Sequence, residues 1–393
     1  MSETRRKPKL LYLVSEDWYF VSHRLPLAVA AKQKGFDVAV ATRVGADGGA
    51  IMDAGLKLLP IDFLRSGLAP LAEARTLRAL IALYRREAPD IVHHVAVKPV
   101  VYGSIAARAA GVKAVVNALM GLGYVFSSDA AKARALRPFV RAALWAALKG
   151  ASTRVIVQNK DDLALFIEEG LARPEQLRLI RGSGVDPSRF STAEPPQGEP
   201  LVVLPARLLR DKGVAEFTAA AQLLKAEGVK ARFVLVGDPD PGNPASIPVA
   251  QVELWVKDGA VEHWPWQPAA KMPGVFAAAH LVCLPSYREG LPKALLEAAA
   301  GARAIVATDV PGCREIVRPG LNGWLVAPGD PLALAAALRE AIARPDLRAR
   351  YGAAGRTLVE REFALGHVIK QTLDVYDELA AAPRDDALGA PPR

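Results

Sequence analysis

The chain has 393 residues, of which 51% are hydrophobic and 23% are charged. This composition excludes a disordered or fibrous protein, and the length predicts two domains rather than one. The net charge of +9 is concentrated: residues 1–150 hold 22 Lys and Arg against 11 Asp and Glu, whereas residues 151–393 hold 28 against 30. An electrostatic partner is therefore expected at the N-terminal half, and nucleic acid, an anionic membrane face and a phosphorylated substrate all fit.

The predicted elements alternate short apolar strands with longer helices. In the first half, strands are predicted at Leu10–Val14, Val38–Ala41, Ile91–His94 and Ala114–Asn117, and helices near 22–34, 71–87 and 99–110. In the second half, strands are predicted at Leu201–Ala206, Arg232–Gly237, Leu281–Pro285 and Ala304–Thr308, and helices near 214–227 and 292–300. This alternation predicts parallel sheets, so the expected fold class is α/β with two doubly wound domains.

Changes in composition along the chain set the expected domain boundaries. The predicted units are a first domain at residues 1–190, a Pro-rich linker at 191–200, a second domain at 201–362, a C-terminal helix at 363–380 that returns to the first domain, and a flexible tail at 381–393. Ligands of doubly wound folds bind at the carboxyl ends of the strands. Two such domains facing each other therefore predict a central cleft.

Cysteine usage and hydropathy limit the cellular setting. The two cysteines, Cys283 and Cys313, lack the CxxC spacing of a metal site, so we expect neither a disulfide framework nor a zinc site, and a reducing compartment fits. The apolar run Leu10–Val14 is too short for a signal peptide, and no window of about 18 uninterrupted apolar residues occurs. We expect a soluble or peripheral protein.

The segment Ser286–Glu297 holds two carboxylates after a predicted strand. Glu289 falls in the loop and Glu297 in a helix that is predicted to open at Pro292, so both side chains can face one ligand at the helix N-terminus. Backbone N–H groups and the helix dipole favour phosphate there, and carboxylates bind hydroxyl pairs, which together indicate a nucleotide sugar. A capping role for Glu289 and a solvated Glu297 fit the spacing equally well.

Two cations follow the first strand of the second half. Arg207 and Lys212 are expected at its carboxyl end, where Arg can bind two phosphate oxygens and Lys adds a point charge. A solvated loop is the alternative. The nearby Asp238-Pro239-Asp240 has the spacing of a metal-binding DxD motif, but Pro and Gly surround it, and we interpret it as a turn.

The first half offers three histidines and a basic helix. His93 or His94 ends a predicted strand and is a candidate for a direct substrate role, as is His23 to a lesser extent; a hydrogen-bonded structural role is the alternative for each. Between Lys132 and Lys149, a basic stripe lies opposite an apolar face. The stripe is Arg134, Arg137 and Arg141, and the apolar face is Leu136, Phe139, Val140, Ala143, Leu144 and Ala147. Anionic lipid headgroups or a diphosphate-bearing acceptor suit such a helix; a core helix with solvated arginines, shortened or kinked at Pro138, is the alternative.

These motifs resemble a known family. Ser286–Glu297, followed by Ala304–Glu315 and Asn322-Gly323, resembles the second domain of the retaining glycosyltransferases of family 4, whose E-x7-E motif Glu289 and Glu297 match. The first half resembles bacterial members that extend undecaprenyl-diphosphate-linked glycans. The segments that carry this second resemblance are Asp17–Pro26, His93-His94 with Lys98-Pro99, and Gly121-Leu122-Gly123-Tyr124.

The resemblance implies a GT-B fold, with the donor in the second domain and the acceptor in the first. It implies that Glu297 binds the ribose of the nucleotide, that Glu289 binds the donor sugar, and that Arg207 and Lys212 bind the diphosphate without a metal ion or other cofactor. His94 is a further catalytic candidate. The implied donor segment includes Gly290, Leu291 and Pro292, and the implied acceptor and membrane side includes His23, Lys98, Gly121, Gly123, Arg134, Arg137 and Arg141.

Other functions fit these residues less well. A nicotinamide dehydrogenase lacks its G-x-G-x-x-G fingerprint at the first turn, Leu13–Asp17, and no nucleic-acid-binding motif accompanies the pI of about 9.5. We therefore predict a retaining enzyme that moves a hexose or N-acetylhexosamine from a UDP-sugar to a lipid-linked glycan at the cytoplasmic membrane face, without a nucleic-acid partner. A nucleotide-sugar epimerase, or a transferase acting on a soluble acceptor, is the alternative.

Overall fold

The computed structural model describes residues 6–63, 70–119, 131–150, 152–193 and 197–381. These residues form two parallel β-sheets, of seven and six strands. Hydrophobic clusters line both faces of each sheet, because the inner strands are almost continuous apolar runs that need helices on either side. The expected fold class, α/β with two doubly wound domains, is confirmed.

The first sheet has the strand order β3-β2-β1-β4-β5-β6-β7. Its strands are β1 (Lys9–Glu16), β2 (Asp37–Arg43), β3 (Lys57–Pro60), β4 (Ile91–Val95), β5 (Ala114–Ala118), β6 (Thr153–Val157) and β7 (Leu177–Leu179). The accompanying helices are α1 (Asp17–His23), α2 (Leu25–Gln33), α3 (Gly48–Asp53), α4 (Pro70–Glu87), α5 (Val97–Ala110), α6 (Ala131–Leu148) and α7 (Lys160–Glu168). The strand order reverses between β1 and β4, which opens a crevice at their carboxyl ends.

The second sheet has the strand order β10-β9-β8-β11-β12-β13 and reverses between β8 and β11. Its strands are β8 (Leu201–Pro205), β9 (Arg232–Val236), β10 (Glu262–Trp264), β11 (Leu281–Leu284), β12 (Ala304–Thr308) and β13 (Gly323–Val326). The helices are α8 (Val214–Ala226), α9 (Val249–Lys257), α10 (Met272–Ala278), α11 (Lys293–Ala300), α12 (Pro311–Ile316), α13 (Pro331–Ala343), α14 (Pro345–Leu358) and α15 (Leu365–Ala381).

The helix predicted near 22–34 is in fact two helices, α1 and α2, that meet at Arg24. Pro26 lies in the first turn of α2 and has no N–H to donate, so α1 cannot continue through it. The carbonyl of Ser22, four residues earlier, consequently lacks its helical donor. This carbonyl takes a donor from the second domain instead, as described below.

The C-terminal helix α15 contacts the first domain. Val375, Tyr376 and Leu379 share one hydrophobic cluster with Leu10 and Tyr12 of β1. The Tyr12 and Tyr376 hydroxyl groups lie 2.8 Å apart in that cluster. No helix among the described residues is long and apolar enough to cross a membrane. Residues 194–196 of the expected linker and 382–393 of the expected tail lie outside the described residues.

Candidate functional site

The donor-side candidates lie in the loops that follow β8 and β11. Arg207 comes two residues after β8, and Lys212 ends the short 3-10 turn that precedes α8. Gly213 then takes a φ of 70°, and a Cβ atom on it would lie 2.1 Å from the carbonyl oxygen of Pro285, just after β11. Glycine permits both this backbone conformation and so close an approach, and the two loops therefore meet.

Lys212 contacts Glu289 where the two loops meet. Its Nζ lies 2.5 Å from Glu289 Oε1, and the Ser286 hydroxyl donates to the same oxygen at 2.8 Å. The side chains of Lys212 and Glu289 are only 23% and 10% exposed. Two of the predicted site residues are thus in direct contact, and both are held in place in a half-buried setting where salt screens charges weakly.

Glu297 lies in the second turn of α11, which begins at Lys293, one residue later than predicted, with Pro292 as the N-cap. Its side chain is buried, and burial raises the pKa of the carboxyl while the cation of Lys293 opposes that rise. The Lys293 Nζ lies 3.5 Å from Glu297 Oε1. A buried carboxylate beside a helix N-terminus can accept hydrogen bonds from hydroxyl groups of a ligand.

Arg207 is paired with Asp240, which follows β9. Arg207 Nη1 donates to Asp240 Oδ2 at 2.6 Å, and the guanidinium carbon lies 5.7 Å from the centre of the Trp18 ring, at the start of α1 in the first domain. The Asp240 carbonyl accepts from the Asn243 amide at 2.8 Å, which closes a turn. Among the described residues, no group of three His, Cys, Asp or Glu side chains is placed to hold a metal ion.

The predicted donor segment Gly290–Pro292 lies against the first domain. Asn159 Nδ2 donates to the Gly290 carbonyl at 2.9 Å, and a Cβ atom on Gly182 would meet the Leu291 side chain at 2.5 Å. This loop is therefore fixed from the first-domain side of the molecule.

Lys293 forms a second contact between the domains. Its Nζ donates to the Ser22 carbonyl at 3.0 Å and lies 3.3 Å from the Ser22 hydroxyl. This carbonyl is the one that Pro26 leaves without a helical donor. Lys293 is not among the predicted site residues, although its position between the two carboxylates of the motif was a signal.

His94 is not part of this cluster. It is fully buried in the first domain, where its Nε2 lies 3.0 Å from the Tyr84 hydroxyl and its Nδ1 lies 2.8 Å from Asn117 Oδ1. Burial lowers the pKa of the imidazole to about 4, so it is neutral at neutral pH. The expectation that His94 faces the cleft is corrected by this geometry: β4 continues one residue further than predicted, to Val95, and keeps His94 inside the sheet.

The other two histidines are also held by protein groups. His93 Nδ1 lies 2.6 Å from the Tyr376 hydroxyl, and burial lowers the pKa of the imidazole well below its usual value. His23 stacks on Tyr19 with ring centres 4.2 Å apart, and burial lowers the pKa of His23 to about 3. Of the two, His23 is partly exposed and adjoins Ser22.

The acceptor-side candidates are spread over the first domain. Lys98 is paired with Glu73 at 2.8 Å and lies 5.7 Å from the ring centres of Phe63 and Tyr102. Gly121 and Gly123 lie outside the described residues.

The basic helix α6 presents both charges and aromatic rings to solvent. Arg134 and Arg141 are exposed, Arg137 is half-buried, and Arg141 pairs with Glu169 at 2.9 Å. Phe139 is 73% exposed, so it does not pack into the core. Among the side chains of α6 that the structure describes, Leu144, Ala147 and Leu148 are buried. Trp145 is half-exposed, with the Lys149 ammonium 4.6 Å from its ring centre.

Two family models match the chain, one in each domain. The model described as "Glycosyl transferase 4-like" matches residues 9–159, and the model described as "Glycosyl transferases group 1" matches residues 199–344. Together they cover more than half of the chain. The chain belongs to this family of glycosyltransferases.

Similar glycosyltransferases come from several bacteria. The chain is 32% identical to the alpha-maltose-1-phosphate synthase of Mycolicibacterium smegmatis, over 53% of this chain and 58% of that protein. It thus spans little more than half the length of that relative. It is 29% identical, over 94% of this chain and 96% of the other, to a Bacillus subtilis protein named as the glycosyltransferase EpsD. It is 27% identical, over 76% and 80%, to the N,N'-diacetylbacillosaminyl-diphospho-undecaprenol alpha-1,3-N-acetylgalactosaminyltransferase of Campylobacter jejuni.

Solved glycosyltransferase structures share the fold. The sucrose-phosphate synthase of Thermosynechococcus elongatus has a TM-score of 0.80 at 20% identity, covering 96% of this chain and all of that one. Anabaena HepE in complex with UDP-glucose has a TM-score of 0.74 at 19% identity, covering 94% and 99%. The expected GT-B fold, two facing Rossmann-like domains, is confirmed.

Proposed function

We propose that this glycosyltransferase moves a hexose or N-acetylhexosamine from a UDP-sugar to a hydroxyl group of an undecaprenyl-diphosphate-linked glycan, with retention of configuration. The observation that carries the proposal is the contact between Lys212 and Glu289, which joins the loops that follow β8 and β11. Arg207 lies on the first of these loops, and Glu297 lies on α11, which follows the second. This edge is the point at which the strand order of the second sheet reverses, where doubly wound folds bind nucleotides.

In the proposed complex, each group has a distinct role. Arg207 and Lys212 bind the diphosphate, Glu297 accepts hydrogen bonds from the ribose hydroxyls, and Glu289 accepts them from the donor sugar. A UDP-sugar is supported by the shared fold of Anabaena HepE, which was solved with UDP-glucose. The cations can neutralise the diphosphate without help from a metal ion.

The proposed reaction exchanges one bond at the anomeric carbon for another. The acceptor hydroxyl oxygen bonds to that carbon on the face from which the diphosphate departs, and the hydroxyl proton passes to the departing diphosphate oxygen as the new bond forms. The bonding electrons of the broken bond remain on UDP, where Arg207 and Lys212 stabilise the developing charge. Glu289 is already bound by Lys212 and Ser286, which suits a positioning role for its carboxylate rather than attack on the sugar.

A lipid-linked acceptor is supported by two observations. The Campylobacter relative is named for transfer to a diphospho-undecaprenol-linked sugar. The helix α6 exposes Arg134, Arg141, Phe139 and Trp145, a combination of basic and aromatic side chains that binds the headgroup region of an anionic bilayer. We therefore place the protein at the cytoplasmic face of the membrane as a peripheral enzyme.

Donor, acceptor and stereochemistry are tested together. Purified enzyme is incubated with labelled UDP-GalNAc, UDP-GlcNAc, UDP-Gal, UDP-Glc and GDP-Man, each with lipid-linked or soluble acceptors. Transfer from a UDP-sugar to the lipid-linked acceptor, with a retained anomeric configuration by NMR, is expected. Transfer to soluble acceptors alone would remove the lipid-linked part of the proposal, and an inverted linkage would remove retention.

The membrane part has its own test. Changing Arg134, Arg137 and Arg141 together to Ser should weaken binding to phosphatidylglycerol vesicles at low salt, since each basic residue near such a surface contributes about 1 kcal/mol. UDP affinity should not change, because α6 does not contribute to the donor cluster. Equal vesicle binding by variant and wild type would contradict membrane docking through α6.

A further inference from the structure

The loop that follows β9 braces the loop that carries Arg207. The Leu208 amide donates to the Asp238 carbonyl at 3.0 Å, and the Arg210 amide donates to the Ala245 carbonyl at 2.8 Å. In return, the Ile247 amide donates to the Leu208 carbonyl at 2.9 Å. The backbone that follows Arg207 is therefore fixed by the β9 loop.

Asp240 extends this bracing to the guanidinium group. The Asp240 amide donates to the Ser246 hydroxyl at 2.9 Å, so the residue is tied into its own loop, and its carboxylate is only 22% exposed. The contact with Arg207 uses one N–H group of a guanidinium that has five. The Trp18 ring lies 5.7 Å from the same guanidinium and belongs to the other domain.

A carboxylate beside a diphosphate site carries an electrostatic cost. Asp240 reduces the positive potential that Arg207 offers to an anion, so its contribution to binding has to come from orientation rather than from charge. An arginine side chain has many rotamers, and fixing it before the ligand arrives removes an entropic cost from binding and from the transition state.

We propose that Asp240 is a positioning residue, which holds the Arg207 guanidinium so that its remaining N–H groups face the diphosphate of the donor. This inference rests on the proposed function, because it takes the ligand of Arg207 to be the donor diphosphate. It assigns a role in the second domain to the Asp238–Asp240 turn.

Three substitutions separate position from charge. Asp240→Ala removes the contact, Asp240→Asn keeps an acceptor oxygen in place without the charge, and Asp240→Glu keeps the charge but displaces it by one methylene. We expect kcat/KM for the UDP-sugar to fall at least about tenfold in Asp240→Ala and Asp240→Glu, but by less than about threefold in Asp240→Asn. In an Arg207→Ala background, Asp240→Ala should cause no further loss.

Opposite outcomes overturn the proposal. A kcat/KM of Asp240→Ala at or above the wild-type value would show that Asp240 competes with the diphosphate for Arg207. If Asp240→Ala lowers kcat/KM as much in the Arg207→Ala background as in the wild-type protein, its effect is purely structural. If Asp240→Ala does not fold, the other two variants test the proposal. A higher kcat/KM in Asp240→Asn than in Asp240→Glu supports it, and the reverse order contradicts it. The matched control is Glu262→Ala, which breaks the Arg232–Glu262 pair at the amino ends of β9 and β10, opposite the ends that carry the Arg207 and Asp240 loops, and should leave kinetics unchanged. A wild-type protein that does not bind UDP contradicts the proposed function itself, and this inference with it.

Discussion

Two polar clusters of this protein differ in their position relative to the strands of their sheets. The donor cluster, formed by Arg207, Lys212, Glu289 and Glu297, lies beyond the ends of β8 and β11. The histidine cluster of the first domain lies on β4, β5 and the helices α4 and α15, and its histidines are neutral at neutral pH. Its members are His93, His94, Tyr84, Asn117 and Tyr376.

The difference shows that a shift of a few residues relative to the strand end decides whether a polar side chain faces the ligand crevice or packs in the core. A residue inside a parallel strand points to the helices that cover the sheet, whereas one just past the strand end faces the ligand crevice. His94 is opposite Asn117 in the β4–β5 ladder, so it belongs to the core. Breaking each cluster should therefore have a different result: lost catalysis in one case and lost stability in the other.

The largest effect is expected for Lys212→Ala. The substitution removes a cation that stabilises the leaving diphosphate and leaves Glu289 with Ser286 as its remaining donor among those described above. By comparison with the loss of a single oxyanion-stabilising group, kcat should fall by about 10²–10³-fold. Steady-state kinetics with labelled UDP-sugar measure this, and a kcat within threefold of wild type would separate Lys212 from the chemistry.

His94→Ala should act on stability instead. It leaves the buried Tyr84 hydroxyl and Asn117 side chain without one partner each and creates a cavity, which should lower the free energy of unfolding by about 2–3 kcal/mol. Activity per folded molecule should stay unchanged. Urea unfolding and kinetics on the same samples test this. Lost activity at wild-type stability would show that His94 acts on the substrate.

The lowered pKa values of the first-domain histidines predict the pH dependence of stability. Burial lowers the pKa of His94 to about 4 and that of His23 to about 3, whereas an unfolded histidine titrates near 6.5. Between these values the unfolded chain binds protons that the folded protein does not, so stability is highest above about pH 6.5 and falls as the pH drops towards 4. Each histidine contributes about 1.4 kcal/mol per pH unit. Urea unfolding is measured at pH values from 7.5 to 4.5. The free energy of unfolding of His94→Gln should fall less steeply with decreasing pH than that of the wild-type protein.

A smaller effect is expected where the two domains touch. Lys293→Met removes the contact to the Ser22 carbonyl and the cation beside Glu297, which should raise KM for the donor by roughly fivefold, or about 1 kcal/mol. Lys257→Met, on the exposed end of α9, is the matched control. An unchanged KM in Lys293→Met would show that the contact between domains does not support donor binding.

Much of the fold followed from apolar runs, and two of the missed strands are short and carry charged residues. The inner strands, such as β8 and β12, are fully buried and were predicted to within a residue at each end. The edge strands β7 and β10 are three residues long and carry Arg178 and Glu262, so no apolar run marks them. Their position depends on pairing with a neighbouring strand, which local sequence does not encode.

The donor cluster was predictable only in part. Lys212 and Glu289 could be named because each follows a strand, but their contact depends on Gly213 approaching Pro285, 72 residues away in the sequence. Asp240 was read as a turn residue because its partnership with Arg207 depends on the neighbouring order of β8 and β9. The exposure of Phe139 was missed because the buried face of α6 is set by the sheet beneath it.

We propose that Arg207, Lys212 and Glu297 form the nucleotide site of the donor. Calorimetric titration of UDP into wild-type protein, Lys212→Ala and Glu297→Ala tests it most directly, with uridine as the ligand that lacks the diphosphate. We predict that wild-type protein binds UDP more tightly than uridine and that each variant binds UDP at least about tenfold more weakly. Equal UDP affinity in all three proteins would show that neither Lys212 nor Glu297 belongs to the nucleotide site.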